Sequence, residues 1–280
     1  MTHPQTFGDR LLEASRQRGG RLCVGIDPHA SLLEKWGLSV DVRGVAEFSR
    51  ICVEAFKDSA ALVKPQVAFF EAFGSQGLAV LEETIGELRA AGALVVADAK
   101  RGDIGSTMAG YATAWLDDSS PLCSDAVTLS PFLGYHSLDP AIELAEATGR
   151  GIFVLAATSN PEGRQVQDNV DAQGVTVSQQ IIDLAAETNA AHAAAGRAGN
   201  MGVVVGATLS QPPVMDALNG PILMPGVGAQ GGSPADVDRI SGECAHLAFP
   251  NVSRSVLSHG PDVEALRQAV IDAAADFPVR

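Results

Sequence analysis

Short apolar runs alternate with longer amphipathic stretches along almost the whole chain. The runs at 22–26, 62–67, 94–97, 126–129, 152–156, 202–205, 222–225 and 247–252 predict strands. Amphipathic segments near 42–58, 78–91, 107–116, 137–148, 177–195, 214–218 and 234–240 predict a helix in each gap. An eighth at 262–275 completes the count, and a polar helix from about 5 to 17 precedes the first strand. No linker-like shift in composition divides the chain, so the pattern predicts one domain spanning 1–280, a parallel (β/α)8 TIM barrel. The nearest rival is a doubly wound open sheet, but no Gly-x-Gly-x-x-Gly follows the first strand.

Composition narrows the partners. A formal charge of −14 and an acidic pI near 4.7 argue against a nucleic-acid backbone or an anionic membrane, each of which needs a basic surface. An anionic small ligand needs only a locally basic pocket. The cysteines Cys23, Cys52, Cys123 and Cys244 are widely spaced and form no Cys-x-x-Cys pair, which predicts reduced core thiols. Residues 1–20 carry no signal-peptide core and no run approaches a membrane span, so a soluble cytoplasmic enzyme is expected.

In a barrel of this kind the chemistry gathers at the carboxyl ends of the strands. The third predicted strand runs into Asp98-Ala99-Lys100-Arg101-Gly102-Asp103-Ile104-Gly105-Ser106-Thr107. Alternation along a strand turns Asp98 and Lys100 to the same face, with Asp103 in the turn beyond. Two carboxylates and an ammonium this close are costly to desolvate and seldom arise from packing alone. Asp27 ends the first strand and Lys64 lies on the second, each inside an otherwise apolar run; they either pair with each other or serve a site. The second strand is expected to run on to Phe69-Phe70-Glu71. After the fifth strand, a long polar connection from Thr158 to Thr176 reads as a lid over the catalytic face.

Strands seven and eight supply the anion-binding features. Met224 is followed by Pro225-Gly226-Val227-Gly228-Ala229-Gln230-Gly231-Gly232, whose glycines let backbone N–H groups approach an anion. Strand eight ends in Asn251-Val252-Ser253-Arg254, where a guanidinium can grip phosphate through a forked hydrogen bond. His136, His192, His246 and His259 are scattered and read as structural or solvent-facing, and no His or Cys cluster supplies metal ligands.

Asp-x-Lys-x-x-Asp-Ile-x-x-Thr, here Asp98 to Thr107, resembles the catalytic motif of the orotidine 5'-monophosphate decarboxylases, and Pro225 to Gly232 is similar to their phosphate loop. The likeness runs from Asp27 to Arg254. It implies that Lys100 donates a proton, held between Asp98 and Asp103, that Lys64 joins the charge network and touches the ribose, and that Asp27 binds a ribose hydroxyl. It further implies that Ser159 bonds the pyrimidine edge and that Pro225, Gln230 and Arg254 belong to the phosphate end. By the same resemblance Asp103 and Thr107 reach into a neighbouring subunit, which makes a homodimer, and the reaction turns orotidine monophosphate (OMP) into UMP and CO2 with no cofactor. The sequence departs from the commoner pattern at Ser253, where a glycine often precedes the arginine, and in the length of 158–176, which resembles a longer bacterial subgroup. The rivals are a Mg2+-dependent phosphosugar enzyme on the same scaffold, Schiff-base chemistry at Lys64 or Lys100, and a nucleotide-binding module without catalysis.

Overall fold

A computed structural model describes residues 5–228 and 230–280, so that Ala229 of the glycine-rich loop lies outside the described residues, as does the start of the N-terminal stretch. Eight strands close into a barrel: β1 Cys23–Ile26, β2 Leu62–Pro65, β3 Leu94–Arg101, β4 Ala126–Leu129, β5 Gly151–Ala157, β6 Met201–Val205, β7 Ile222–Pro225 and β8 Ala248–Val252. All neighbours are parallel, and β8 returns to pair with β1 through Cys23 opposite Asn251. The expected fold is therefore the observed one, because each predicted apolar run became a strand buried on both faces.

Two apolar layers result. Residues facing outward from the strands pack under the surrounding helices, among them Val42–Phe56, Gly74–Ala90 and Val177–Ala194. Inside the barrel Leu62, Val96, Phe153, Val204, Leu223 and Phe249 meet Phe7 and Leu11 from the N-terminal helix Phe7–Gln17. That helix plugs the barrel floor. Thr6 caps it by accepting the Asp9 N–H at 3.2 Å, Phe7 N donates to Asn200 Oδ1 at 2.7 Å, and Arg10 pairs with Asp125 at 2.9 Å. Phe7 stands edge-on to Phe153, with ring centroids 5.8 Å apart.

Three local expectations are corrected, and a fourth segment gains detail. β2 stops at Pro65, which donates nothing to a ladder, and the chain turns into the short helix Val67–Glu71 instead of running on as strand. β3 is longer than its apolar run, so Asp98 and Lys100 lie on the strand itself. Residues 214–218 form no helix; Pro212 and Pro213 withhold two N–H donors just upstream. Asn189 secures that irregular connection instead, donating to Met201 O and Leu218 O at 2.8 and 2.9 Å. Finally, the 158–176 connection has structure of its own, with a 3-10 turn Pro161–Gly163, a helical turn Arg164–Gln167 and a bridge between Val170 and Thr176.

Candidate active site

Asp98 sits at the centre of a charge cluster formed at the carboxyl ends of β2, β3 and β4. Its Oδ2 accepts from Lys64 Nζ at 3.0 Å, and its Oδ1 from Lys100 Nζ at 2.5 Å and from the Thr128 hydroxyl at 2.9 Å. With its amide oriented to donate, Gln66 adds a bond to Oδ2 at 3.1 Å and one to the Asp98 carbonyl at 2.7 Å. Lys64 Nζ is also 3.9 Å from Asp27 Oδ1, so of the two readings open for these residues, mutual pairing or service in a site, the lysine engages Asp98 more closely than Asp27.

Burial governs both partners first, and charge then overrides it. Asp98 and Lys64 are almost fully buried. Burial alone would push the Asp98 carboxyl up, but the ammonium groups of Lys64 and Lys100 hold it well below the usual carboxylate range. Burial would likewise pull Lys64 down, but Asp98 and Asp27 hold it above an ordinary lysine. Cys23 lies close to this network; burial pushes its thiol up to about 12, and all four cysteines are free and buried. The thiols are core groups, as expected.

The bend of β3 sets the direction of Lys100. Ala97 pairs with Val127 and Arg101 with Leu129, so three residues of β3 oppose the single residue Thr128 of β4. Lys100 takes φ +49, a left-handed backbone that costs a lysine about 1–3 kcal/mol and persists only where the surroundings enforce it.

Asp27, Lys64, Gln66, Asp98, Lys100, Thr158, Pro225, Gly226, Gln230, Asn251, Ser253 and Arg254 line one cavity of about 250 Å³. Close packing of backbone draws its walls together. A Cβ at Gly206 would stand 2.1 Å from Ser159 Oγ, and one at Gly25 would stand 2.0 Å from Ser253 Oγ. Ser159 Oγ and Asp27 Oδ1 are buried and, among the described residues, have no hydrogen-bond partner. Such atoms cost about 1–3 kcal/mol unless a ligand satisfies them. In the glycine loop, Gly228, Gly231 and Gly232 direct their N–H groups to carbonyls at 232, 228 and 226. These amides shape the loop, and Arg254 with Gln230 remains as the side-chain pair at that end of the cavity.

Asp103 and Thr107 are not brought to this cavity by their own chain. Asp103 accepts the Ile104 N–H at 2.8 Å and, among the described residues, forms no ion pair with Lys100; Thr107 is exposed on the helix Gly105–Leu116. Three polar residues with clear contacts were not assigned from sequence. Gln66 and Thr128 hold Asp98, and Gln167 clamps Thr158 by accepting its N–H and donating to its hydroxyl, both at 2.8 Å. Position at a strand end was the available signal for Gln66 and Thr128. Gln167 had none. Among the described residues no group of three His, Cys, Asp or Glu is placed to hold a metal ion.

A closed parallel barrel that concentrates a lysine–aspartate cluster and an arginine in one cavity at the carboxyl ends of its strands defines a (β/α)8-barrel enzyme. The match to the family model described as Orotidine 5'-phosphate decarboxylase / HUMPS covers residues 20–269, and the chain belongs to that family. It is 68% identical over 273 residues to the orotidine 5'-phosphate decarboxylase of Corynebacterium glutamicum (strain R), covering 98% of each chain. The Streptomyces coelicolor protein of the same name is 56% identical over 266 residues, covering 95% of this chain and 94% of the other. A crystal structure from Streptomyces avermitilis superposes with a TM-score of 0.93 at 55% identity, covering 98% of this chain and 95% of the other. The OMP decarboxylase of Leishmania donovani superposes with 0.74 at 29%, covering 96% of each.

Proposed function

We propose that this chain converts OMP to UMP and CO2 in pyrimidine synthesis, with Lys100 as the proton donor. The observation that carries the mechanism is the Lys64–Asp98–Lys100 cluster at the cavity wall. The C6–carboxyl bond breaks, its electron pair stays on C6 in the ring plane, and CO2 leaves. An in-plane pair is poorly delocalised by the π-system, so charge beside it must offset it. The Lys100 ammonium does this and then gives its proton to C6, and solvent returns a proton to the amine. At about 4 Å two unit charges interact by about 4 kcal/mol at an effective dielectric near 20, against about 1 in water. The remainder of the barrier reduction is drawn from binding the ribose and phosphate away from the reacting carbon.

Asp27, whose Oδ1 has no hydrogen-bond partner among the described residues, is matched to a ribose hydroxyl, and Ser159, whose Oγ is likewise unbonded and lies just outside the cavity lining, to the pyrimidine edge. Pro225, Gln230 and Arg254 form the phosphate end. The enzyme is read as a cytoplasmic homodimer in which Asp103 and Thr107 complete the partner's site. Support for the dimer comes from the exposed apolar side chain Ile104, next to Asp103, and from exposed Phe132 and Leu133 in the loop after β4, which the Ser130 N–H bond to Arg101 O at 2.7 Å ties to the end of β3. No helix among the described residues is long and apolar enough to cross a membrane.

The test is direct. Adding OMP to EDTA-treated protein is expected to remove the orotate ultraviolet absorbance, and Lys100→Ala is expected to lose nearly all turnover while still binding UMP. Activity abolished by EDTA, or a borohydride-trapped adduct at Lys64 or Lys100, would replace this reading with one of its rivals.

A further inference from the structure

β3 and β4 fall out of step just where the chemistry is concentrated. Between the pairs Ala97–Val127 and Arg101–Leu129, Asp98, Ala99 and Lys100 face only Thr128. A bulge of this sort leaves backbone groups without ladder partners and re-aims side chains. Here a side chain takes over the ladder's task. The Thr128 hydroxyl accepts the Lys100 N–H at 2.9 Å and donates its own hydrogen to Asp98 Oδ1, also at 2.9 Å. That oxygen is the one that receives Lys100 Nζ. One hydroxyl thus closes a ring that fixes the backbone of the lysine, the carboxylate and, through the carboxylate, the ammonium.

Thr128 is itself buried and is not among the residues that line the cavity. The left-handed backbone at Lys100 opposes this arrangement, and the Thr128 bond is the cross-strand contact that holds that N–H. A methyl in place of the hydroxyl would leave the Lys100 N–H and one lone pair of Asp98 without this partner, while preserving the volume.

We propose that Thr128 is a positioning residue for decarboxylation: its hydroxyl stabilises the β3 bulge that folds Lys100 back against Asp98 and aims the ammonium into the cavity. The inference rests on the assignment of Lys100 as proton donor. It goes beyond that assignment by naming the group that sets the lysine's direction. Because Thr128 lies outside the cavity lining, its loss is expected to act on turnover and not on nucleotide affinity.

The experiment compares Thr128→Val, Thr128→Ser and Thr128→Ala with the wild type and Lys100→Ala, measuring kcat and KM for OMP and the Kd for UMP. Ser and Ala delete the same methyl group and differ only in the hydroxyl, so their contrast isolates it even if Val does not fold. Val and Ala are expected to lower kcat by about 30- to 100-fold, the scale of a small misplacement of a reacting group, with KM and the UMP Kd within about two-fold. Ser is expected to stay within about five-fold of wild type. Equal kcat in Ser and Ala, or a kcat loss matched by weaker UMP binding, would overturn the proposal and leave Thr128 a packing residue. A wild type that leaves OMP unchanged, or a fully active Lys100→Ala, would instead overturn the assignment beneath it. The two failures are therefore distinguishable.

Discussion

Asp98 accepts hydrogen bonds from four side chains, Lys64 and Gln66 on one oxygen and Lys100 and Thr128 on the other. A carboxylate so occupied neither rotates nor protonates easily. Its lowered pKa stabilises the fold above the ordinary carboxylate range, and that contribution is lost as pH falls toward the folded value. Lys64, raised above an ordinary lysine, contributes below pH ~10 and loses its contribution as pH climbs past that value. Neutralising Asp98 leaves Lys64 buried with Asp27 3.9 Å away. Asp98→Asn is expected to cost about 3 kcal/mol at pH 7, and the difference from wild type is expected to shrink below pH ~4, where the unfolded carboxyl takes up a proton that the native one still refuses. Urea unfolding at several pH values measures both effects.

The same cluster marks where sequence reasoning reached and where it stopped at the level of elements. Strand positions were legible because each is a short run of residues buried on both faces, as in Ala126–Leu129 and Ile222–Pro225. Asp98, Lys100 and Lys64 were legible as a site because charges in apolar runs need a reason. The β3 bulge was not, since it exists only in the pairing of β3 with β4 and changes neither composition nor period. Thr128 and Gln66 were hidden for the same reason: their roles are cross-strand bonds. The failed helix at 214–218 shows the opposite error, in which a short apolar pattern outweighed the Pro212-Pro213 block beside it.

The N-terminal helix offers a clean separation of stability from chemistry. Phe7 is fully buried against Phe153, on the floor and away from the cluster at the mouth. Phe7→Ala is expected to cost about 3–5 kcal/mol in urea unfolding, with kcat at 25 °C within about two-fold of wild type. A large fall in kcat in the folded variant would mean that the floor and the mouth are coupled.

Across the whole molecule, a chain of net charge −14 reserves Lys64, Lys100 and Arg254 for one cavity. If Asp103 serves a partner's site, inactive Lys100→Ala and Asp103→Ala subunits are expected to complement. Random exchange makes half the dimers mixed with one intact site each, so about a quarter of wild-type activity returns. No recovery after verified exchange would confine Asp103 to its own chain.

Sealing the barrel floor with Phe7 and Leu11 turns the cavity into a cul-de-sac. If this cavity is where nucleotide binds, it must arrive and depart by one doorway, so each spent UMP has to vacate it before the next OMP is admitted. Accumulating UMP is therefore expected to queue against incoming OMP, raising its apparent KM while leaving kcat untouched in initial-rate measurements.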